Sequence, residues 1–187
     1  MSSSSILENM NESLAFWLNS LAQSNFFTLE IAVFLAVKLA YVLVGILIYF
    51  LYKSSKKIQE KHFHTLLFAI GSGLFARYLL KESIVYFFKE ARPYIADPGI
   101  KLLISPLIGE EYQSFPSGHA LFFFAVSTAL YLHHKKLGSI FFVSSILMGI
   151  GRVMVGAHYP LDIIAGALLG MMTAYLLSLF LEKKRFL

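Results

Sequence analysis

The chain has 187 residues, of which 57% are hydrophobic, 16% aromatic and only 14% charged, and it contains no cysteine. Soluble domains carry about 25% charged residues, so a water-facing globular domain is excluded, and disulfides, thiolate metal sites and thiol nucleophiles go with the missing cysteines. The formal charge is +5, from 16 Lys and Arg against 11 Asp and Glu; these cations sit in short segments between apolar runs, which reads as membrane loops rather than a nucleic-acid surface.

In chain order, residues 6–24 space Leu7, Leu14, Phe16, Trp17, Leu18 and Leu21 helically but mix them with Glu8, Asn9, Asn11, Glu12 and Asn19. This stretch is too polar to span and is expected to lie as an amphipathic helix at the interface, with Trp17 at headgroup level. Met1 to Ser5 lack the basic region of a signal peptide, so the first spanning helix is expected to direct insertion. Five spans follow, at about Thr28–Tyr52, Phe63–Phe88, Ser117–Leu132, Leu137–Gly156 and Pro160–Leu181, each near the roughly 20 apolar residues that cross a bilayer. The expected fold is an all-α integral membrane bundle of five transmembrane helices, six if the N-terminal segment also inserts. Residues 1–27 form its interfacial helix and 28–187 its transmembrane domain.

Basic residues mark one side: Lys53, Lys56, Lys57 and Lys61 in the first loop, Lys135 and Lys136 in the third, and Lys183, Lys184 and Arg185 at the C-terminus. Positive-inside bias places these in the cytoplasm, and the N-terminus and the loop Lys89–Pro116 outside. Gly71, Gly73, Gly166 and Gly170 are expected to mark close helix packing. No internal repeat is evident.

Ionisable groups near membrane depth are expensive and mark function by default. They form three clusters here: Lys81, Glu82, Lys89 and Arg92-Pro93; Phe115-Pro116-Ser117-Gly118-His119; and Arg152, His158 and Asp162. The span order brings all three to the same face, which the charge count makes extracytoplasmic. Pro116 and Ser117 before a helix start, with Gly118 allowing close approach, make an anion-binding N-terminus. His158 and Asp162 are four apart beside Pro160 and share a helix face. A carboxylate on one imidazole nitrogen fixes the tautomer and frees the other as a nucleophile. Arg92 and Arg152 offer planar forks for phosphate oxygens. Lys38 and Arg77 have no motif around them and are expected to snorkel or pair internally. Two histidines, several cations and a helix N-terminus suit phosphoryl transfer through a phosphohistidine, with His158 attacking phosphorus and His119 as general acid and then base. Phe115, Phe122, Phe123 and Phe124 could line lateral access from the bilayer, though aromatic residues at such positions are more often ordinary packing or lipid contact.

Pro116-Ser117-Gly118-His119 followed by Arg152-x5-His158-x3-Asp162 resembles the second and third signature motifs of the type-2 phosphatidic acid phosphatase superfamily, and Arg92-Pro93 resembles the end of its first, Lys-x6-Arg-Pro. The resemblance runs from about Lys81 to Asp162. It implies a membrane lipid phosphatase without metal or other cofactor, whose partners are a lipid with a phosphate headgroup and the bilayer, and not nucleic acid. It also implies that Ser117 and Gly118 hold the phosphate with Arg92 and Arg152. Two positions depart from the pattern. Val85 stands where the family has lysine, and Lys81, on the same helix face, is expected to reach the phosphate in preference to Lys89. Gly151 stands where the family usually has serine. The segment Leu14–Ala22 and the apolar span with Lys38 look like small bacterial members that dephosphorylate undecaprenyl diphosphate, which implies the bacterial cytoplasmic membrane. Phosphatidylglycerophosphate and lipid A phosphates are alternatives within the class. A transporter or proton-relay subunit predicts polar residues spread through the membrane and internal symmetry, and a catalytically dead relative predicts loss of His158, His119 or Arg152; neither pattern is present.

Overall fold

In the computed structural model, residues 3–53, 56–105 and 108–184 are described; Lys56, Lys57, Lys61, Lys183 and Lys184 are placed in backbone only, and Arg185 lies outside the described residues. Helices dominate, and the only strand-like pairing among the described residues is an isolated bridge between Glu90 and Gln113. Helix α1 covers Ser3–Gln23. Asn25 then caps α2, Phe26–Lys53, by a reciprocal pair of bonds with Thr28 of 3.0 and 3.3 Å, which satisfies donors the helix start leaves open. The span His62–Phe87 is α3, and its helical backbone already begins at Lys56, so most of the expected loop 53–64 is helix. Then come α4, Gly118–His133, α5, Lys135–Met154, and α6, Pro160–Lys184.

Four of these helices, α2, α3, α5 and α6, are long and apolar enough to cross a membrane. The fifth, α4, has 16 residues, which is about 24 Å at a helical rise against a hydrocarbon core of about 30 Å. It is tolerated because it is enclosed: Leu121, Ala125, Val126, Ala129 and Leu130 are all buried, against α3, α5 and α6. The expected fourth span ended at Gly156, but α5 stops at Met154. Gly156, at φ +76°, closes it: Ala157 N–H donates to the Arg152 carbonyl at 3.1 Å and Gly156 N–H to the Val153 carbonyl at 2.9 Å. That is a Schellman cap, whose left-handed residue favours glycine.

Lipid tails are as apolar as leucine, so close contact rather than water exclusion holds such helices together. A Cβ on Gly166 would come within 2.8 Å of the Ser117 carbonyl, and one on Gly170 would meet the Leu121 carbonyl. Gly73 faces Phe122 at 2.8 Å, but Gly71 has nothing within 4 Å and is not a packing glycine. Across α4 and α5, Ser127 and Ser145 hydroxyls meet at 3.0 Å. Phe123 and Phe124 are core residues and Phe122 packs against the same core, which is the packing role rather than the access role.

Two helices carry π-helical turns, at Phe34–Lys38 in α2 and Phe75–Leu80 in α3. Such turns interrupt the regular ladder and re-aim side chains. Each abuts the end of the bundle where the polar clusters meet. The first presses Leu35 and Ala36 onto Gly151, and the second carries Arg77 and leads into Lys81.

Candidate active site

Chain direction places the end of α3, the starts of α4 and α6 and the end of α5 at one face of the bundle. Residues 88–117 link α3 to α4, and their two ends lie side by side: Ser114 N–H donates to the Glu90 carbonyl at 3.0 Å and Arg92 N–H to the Glu111 carbonyl at 2.9 Å. Ser117 N–H donates to the Asp162 carbonyl at 3.1 Å, joining the α4 start to α6. These bonds bring Arg92, the α4 N-terminus and the segment between α5 and α6 together.

His158 sits in that segment, 1% exposed. Its Nδ1 is 3.0 Å from the Ser114 carbonyl oxygen, which only accepts, so Nδ1 carries the proton and Nε2 carries the lone pair. Asp162 was expected to hold Nδ1. It lies further off, at 3.5 Å, and instead accepts from the Ser114 hydroxyl at 2.6 Å and from Tyr159 N–H at 2.8 Å. The carboxylate thus fixes Ser114, and the Ser114 carbonyl fixes the imidazole. Burial, with the nearby charges of Arg152, Arg92 and Lys81, holds His158 well below the ordinary histidine range, since both oppose the cationic ring. Its Nε2 is therefore a free base, and Arg92 Nη1 lies 3.1 Å from it.

Arg92 is 1% exposed. It donates from Nη1 to the Ala157 carbonyl, from Nε to the Glu110 carbonyl and from Nη2 to the Glu110 carboxylate, each at 2.8 Å. Arg152 is different. It is 3% exposed, and its Nε has no hydrogen-bond partner among the described residues. An unsatisfied buried donor on a charged group costs well over 1 kcal/mol, which is tolerated where a ligand supplies the acceptor. Lys81 is also buried and bonds the Gln113 side chain at 3.3 Å, whereas Lys89 is exposed. The structure therefore brings Lys81, not Lys89, to the site, and the Val85 position is a buried apolar contact.

At the α4 start, Ser117 is buried and its hydroxyl accepts from Ala120 N–H at 3.5 Å as an N-cap. It was expected to bind phosphate; the cap leaves the hydroxyl proton for that. Gly118 and His119 follow in the first turn, where backbone N–H groups precede any intrahelical acceptor. A Cβ on Gly118 would lie 2.8 Å from Arg77 Nη1 and 3.2 Å from Lys81 Cδ. Glycine here lets both cations close over the helix N-terminus.

Three site residues were not singled out in the sequence. Arg77 was read as snorkelling or internally paired; its one signal is that it stands a single turn before Lys81 on the same face. Lys38, read with it, does pair, with Glu30 at 3.3 Å. Glu110 and Ser114 lie in the long loop, and nothing in its pattern distinguishes them.

The sequence profile of the PAP2 superfamily matches residues 64–186. The chain is 30% identical to the bacitracin transport permease protein BcrC of Bacillus licheniformis over 84% of this chain and 74% of that protein. It is 31% identical to the undecaprenyl-diphosphatase BcrC of Bacillus subtilis over 61% of this chain and 55% of that one. The crystal structure of Aquifex aeolicus LpxE superposes with a TM-score of 0.58 at 27% identity, covering 86% of this chain and 91% of that one. With the profile spanning every motif residue from Lys81 to Asp162, this multi-pass membrane chain belongs to the PAP2 superfamily.

Proposed function

We propose that the chain hydrolyses the terminal phosphate of undecaprenyl diphosphate through a phosphohistidine on His158, at the extracytoplasmic face of a bacterial cytoplasmic membrane. Hydrolysis of a lipid phosphate is the reaction class of its family. The observation that carries the mechanism is the His158 ring, held by the Ser114 carbonyl with Nε2 unprotonated among cations.

In the first step Nε2 bonds to phosphorus while the bond from phosphorus to the lipid-side oxygen breaks, and His119 gives that oxygen a proton. In the second, His119 takes a proton from water, the water oxygen bonds to phosphorus, and the nitrogen–phosphorus bond breaks to release phosphate. The equatorial oxygens fall to Arg152, Arg92, Lys81, Arg77 and the amides of Gly118 and His119, with the Ser117 hydroxyl. Charge neutralisation by fixed donors is the main catalytic work in phosphoryl transfer, and here cationic side chains supply it without a metal. Asp162 acts through Ser114 as a positioning residue.

Two observations support the diphosphate. The relative from Bacillus subtilis is named for it, and four cations converge where a monophosphate offers less charge. The orientation rests on Lys53, Lys135 and Lys136, which stand at the end of the bundle opposite the site.

The test is phosphate release from undecaprenyl diphosphate in detergent with excess chelator, for wild type and His158→Ala, with phosphatidylglycerophosphate and lipid A as competitors. Release by wild type alone, and an acid-labile phosphoenzyme that disappears in His158→Ala, are expected. Dependence on a divalent metal, or an active His158→Ala, refutes the mechanism; preference for a competitor refutes the substrate.

A further inference from the structure

Helix α1 does more than lie against the bundle. Asn11, Ala15 and Asn19 form a ridge at four-residue spacing that faces the segment around His158. Asn19 is 1% exposed. Its Nδ2 donates to the carbonyls of Lys101 and Met154, both at 2.9 Å, and its Oδ1 accepts from Lys101 N–H at 3.0 Å and Gln23 Nε2 at 2.8 Å. Two donors and two acceptor lone pairs are the full capacity of an asparagine side chain. Ala15, also 1% exposed, packs against Ile100, Val153 and Tyr159. At the far end of the ridge, Asn11 Oδ1 accepts from Leu161 N–H at 3.0 Å.

The places gripped are telling. Met154 is the last residue of α5, two beyond Arg152, and Leu161 is the second residue of α6, one before Asp162. The six residues between them include His158. An amide in the first turn of a helix is usually capped by the residue preceding that helix. For α6 that residue is Tyr159, which has no oxygen within reach, and α1 supplies the cap from another part of the chain. A helix that only anchored the protein to the bilayer needs its apolar face, and that face is separate: Met10, Leu14, Trp17 and Leu21 are exposed on it.

We propose that α1 is a clamp on the catalytic segment, in which Asn19 and Asn11 are positioning residues that hold both flanks of His158 so that Nε2 stays in line with the phosphorus. The proposal rests on His158 being the nucleophile.

The experiment is steady-state kinetics of full-length wild type, Asn19→Leu, Asn11→Ala and His158→Ala on undecaprenyl diphosphate in mixed micelles. Rates are normalised to monodisperse protein, and kcat, KM and the pH profile are measured for each. Asn19→Leu keeps size and burial but removes all four bonds. It is expected to lower kcat by about ten-fold or more at unchanged KM, as small misplacements of reacting groups do. It is also expected to move the acidic limb of kcat/KM upward, as a loosened His158 becomes wetter and returns toward its ordinary range. Asn11→Ala, at a half-buried position, should do the same more weakly, and it decides the matter if Asn19→Leu does not fold. A merely structural role lowers the yield of folded protein and leaves kcat per folded molecule and the limb where they were. That result in both variants, with activity still dependent on His158, overturns the clamp alone; activity retained by His158→Ala overturns the mechanism and the clamp with it.

Discussion

Replacing Gly151 by serine restores the residue usual in the family, and the structure predicts harm. A Cβ at this position would stand 2.6 Å from Ala36 N, 2.7 Å from Leu35 Cβ and 2.8 Å from Leu35 C. Two of these three atoms are backbone, locked in the π-helical turn of α2, so no rotamer change relieves them. Reaching an ordinary contact of 3.4 Å from 2.6 Å requires α2 and α5 to part by 0.8 Å at this point. Overpacking of this kind costs about 1–3 kcal/mol, and backbone contacts place it in the upper half. The helix preference gained over glycine is at most roughly 0.5–1 kcal/mol, the value for alanine, leaving a net loss of about 1–2.5 kcal/mol. For a chain of this length that lowers Tm by about 2–10 °C. Arg152 is the next residue, so kcat should also fall, by about ten-fold or more for a shift of this size. Gly45→Ala is the control, because nothing lies within 4 Å of that position; it should keep or raise Tm. The assay is thermal unfolding in detergent together with turnover. A Gly151→Ser protein with wild-type Tm and kcat refutes the reasoning.

Three further outcomes are expected. Because His158 is held below the ordinary histidine range, it stays neutral as pH falls through about 6.5, so the acidic limb of kcat/KM lies below that value; a limb at or above it contradicts the buried free-base ring. Arg77→Gln and Lys81→Gln each remove a charge-assisted contact worth about 1.5–3 kcal/mol, which is about ten- to hundred-fold in kcat/KM, while Lys89→Gln changes it little; equal effects in all three would remove Arg77 and Lys81 from the site. Ser114→Ala keeps the carbonyl that holds His158 but frees Asp162 from its 2.6 Å partner, so kcat should fall about ten-fold, far less than in His158→Ala; a loss as complete as that of His158→Ala would mean the hydroxyl takes part in the reaction itself.

The helices were legible because apolar runs bounded by charge leave few alternatives in a membrane chain, and their ends were right to within about three residues except at α3, whose helical backbone begins at Lys56 rather than Phe63 because its polar first turns give no apolar signal. The end of α5 depends on the left-handed Gly156, and one glycine among many in an apolar run does not reveal its φ. The sequence leaves Phe123 and Phe124 between packing and access because an evenly apolar helix does not show which face meets lipid. Among the candidate site residues, the structure brings the motif residues and Lys81 to one face, whereas Arg77, Glu110 and Ser114 carry no motif that would have marked them. Arg77 gains its role only through tertiary contact with Gly118, and Ser114 acts partly through its carbonyl, which every residue has. The spacing of His158 and Asp162 correctly put them together but not which nitrogen partner wins. That was decided by Ser114, 44 residues away along the chain, and no local pattern reports such a contact.

The two buried arginines divide the resting site unequally. Arg92 already has a carboxylate on its fork, since Glu110 bonds Nη2 at 2.8 Å while its own side chain remains 39% exposed on the outward side. Arg152 has no such partner at Nε. On the proposed reading a phosphate gains most by going to Arg152, where it satisfies an orphaned donor and displaces nothing. To reach Arg92 it must exchange with Glu110, one anion for another, so that contact adds little to ground-state binding. As phosphorus transfers to Nε2, however, the bond Arg92 Nη1 makes to that nitrogen in the resting site must give way, and the guanidinium becomes free to turn to the equatorial oxygens. Arg92 then contributes more in the transition state than on binding, which is the kind of interaction that raises kcat rather than lowering KM. The same exchange keeps the empty site stable: with Glu110 in place, the cations gathered for phosphate are not left wholly without a counter-charge.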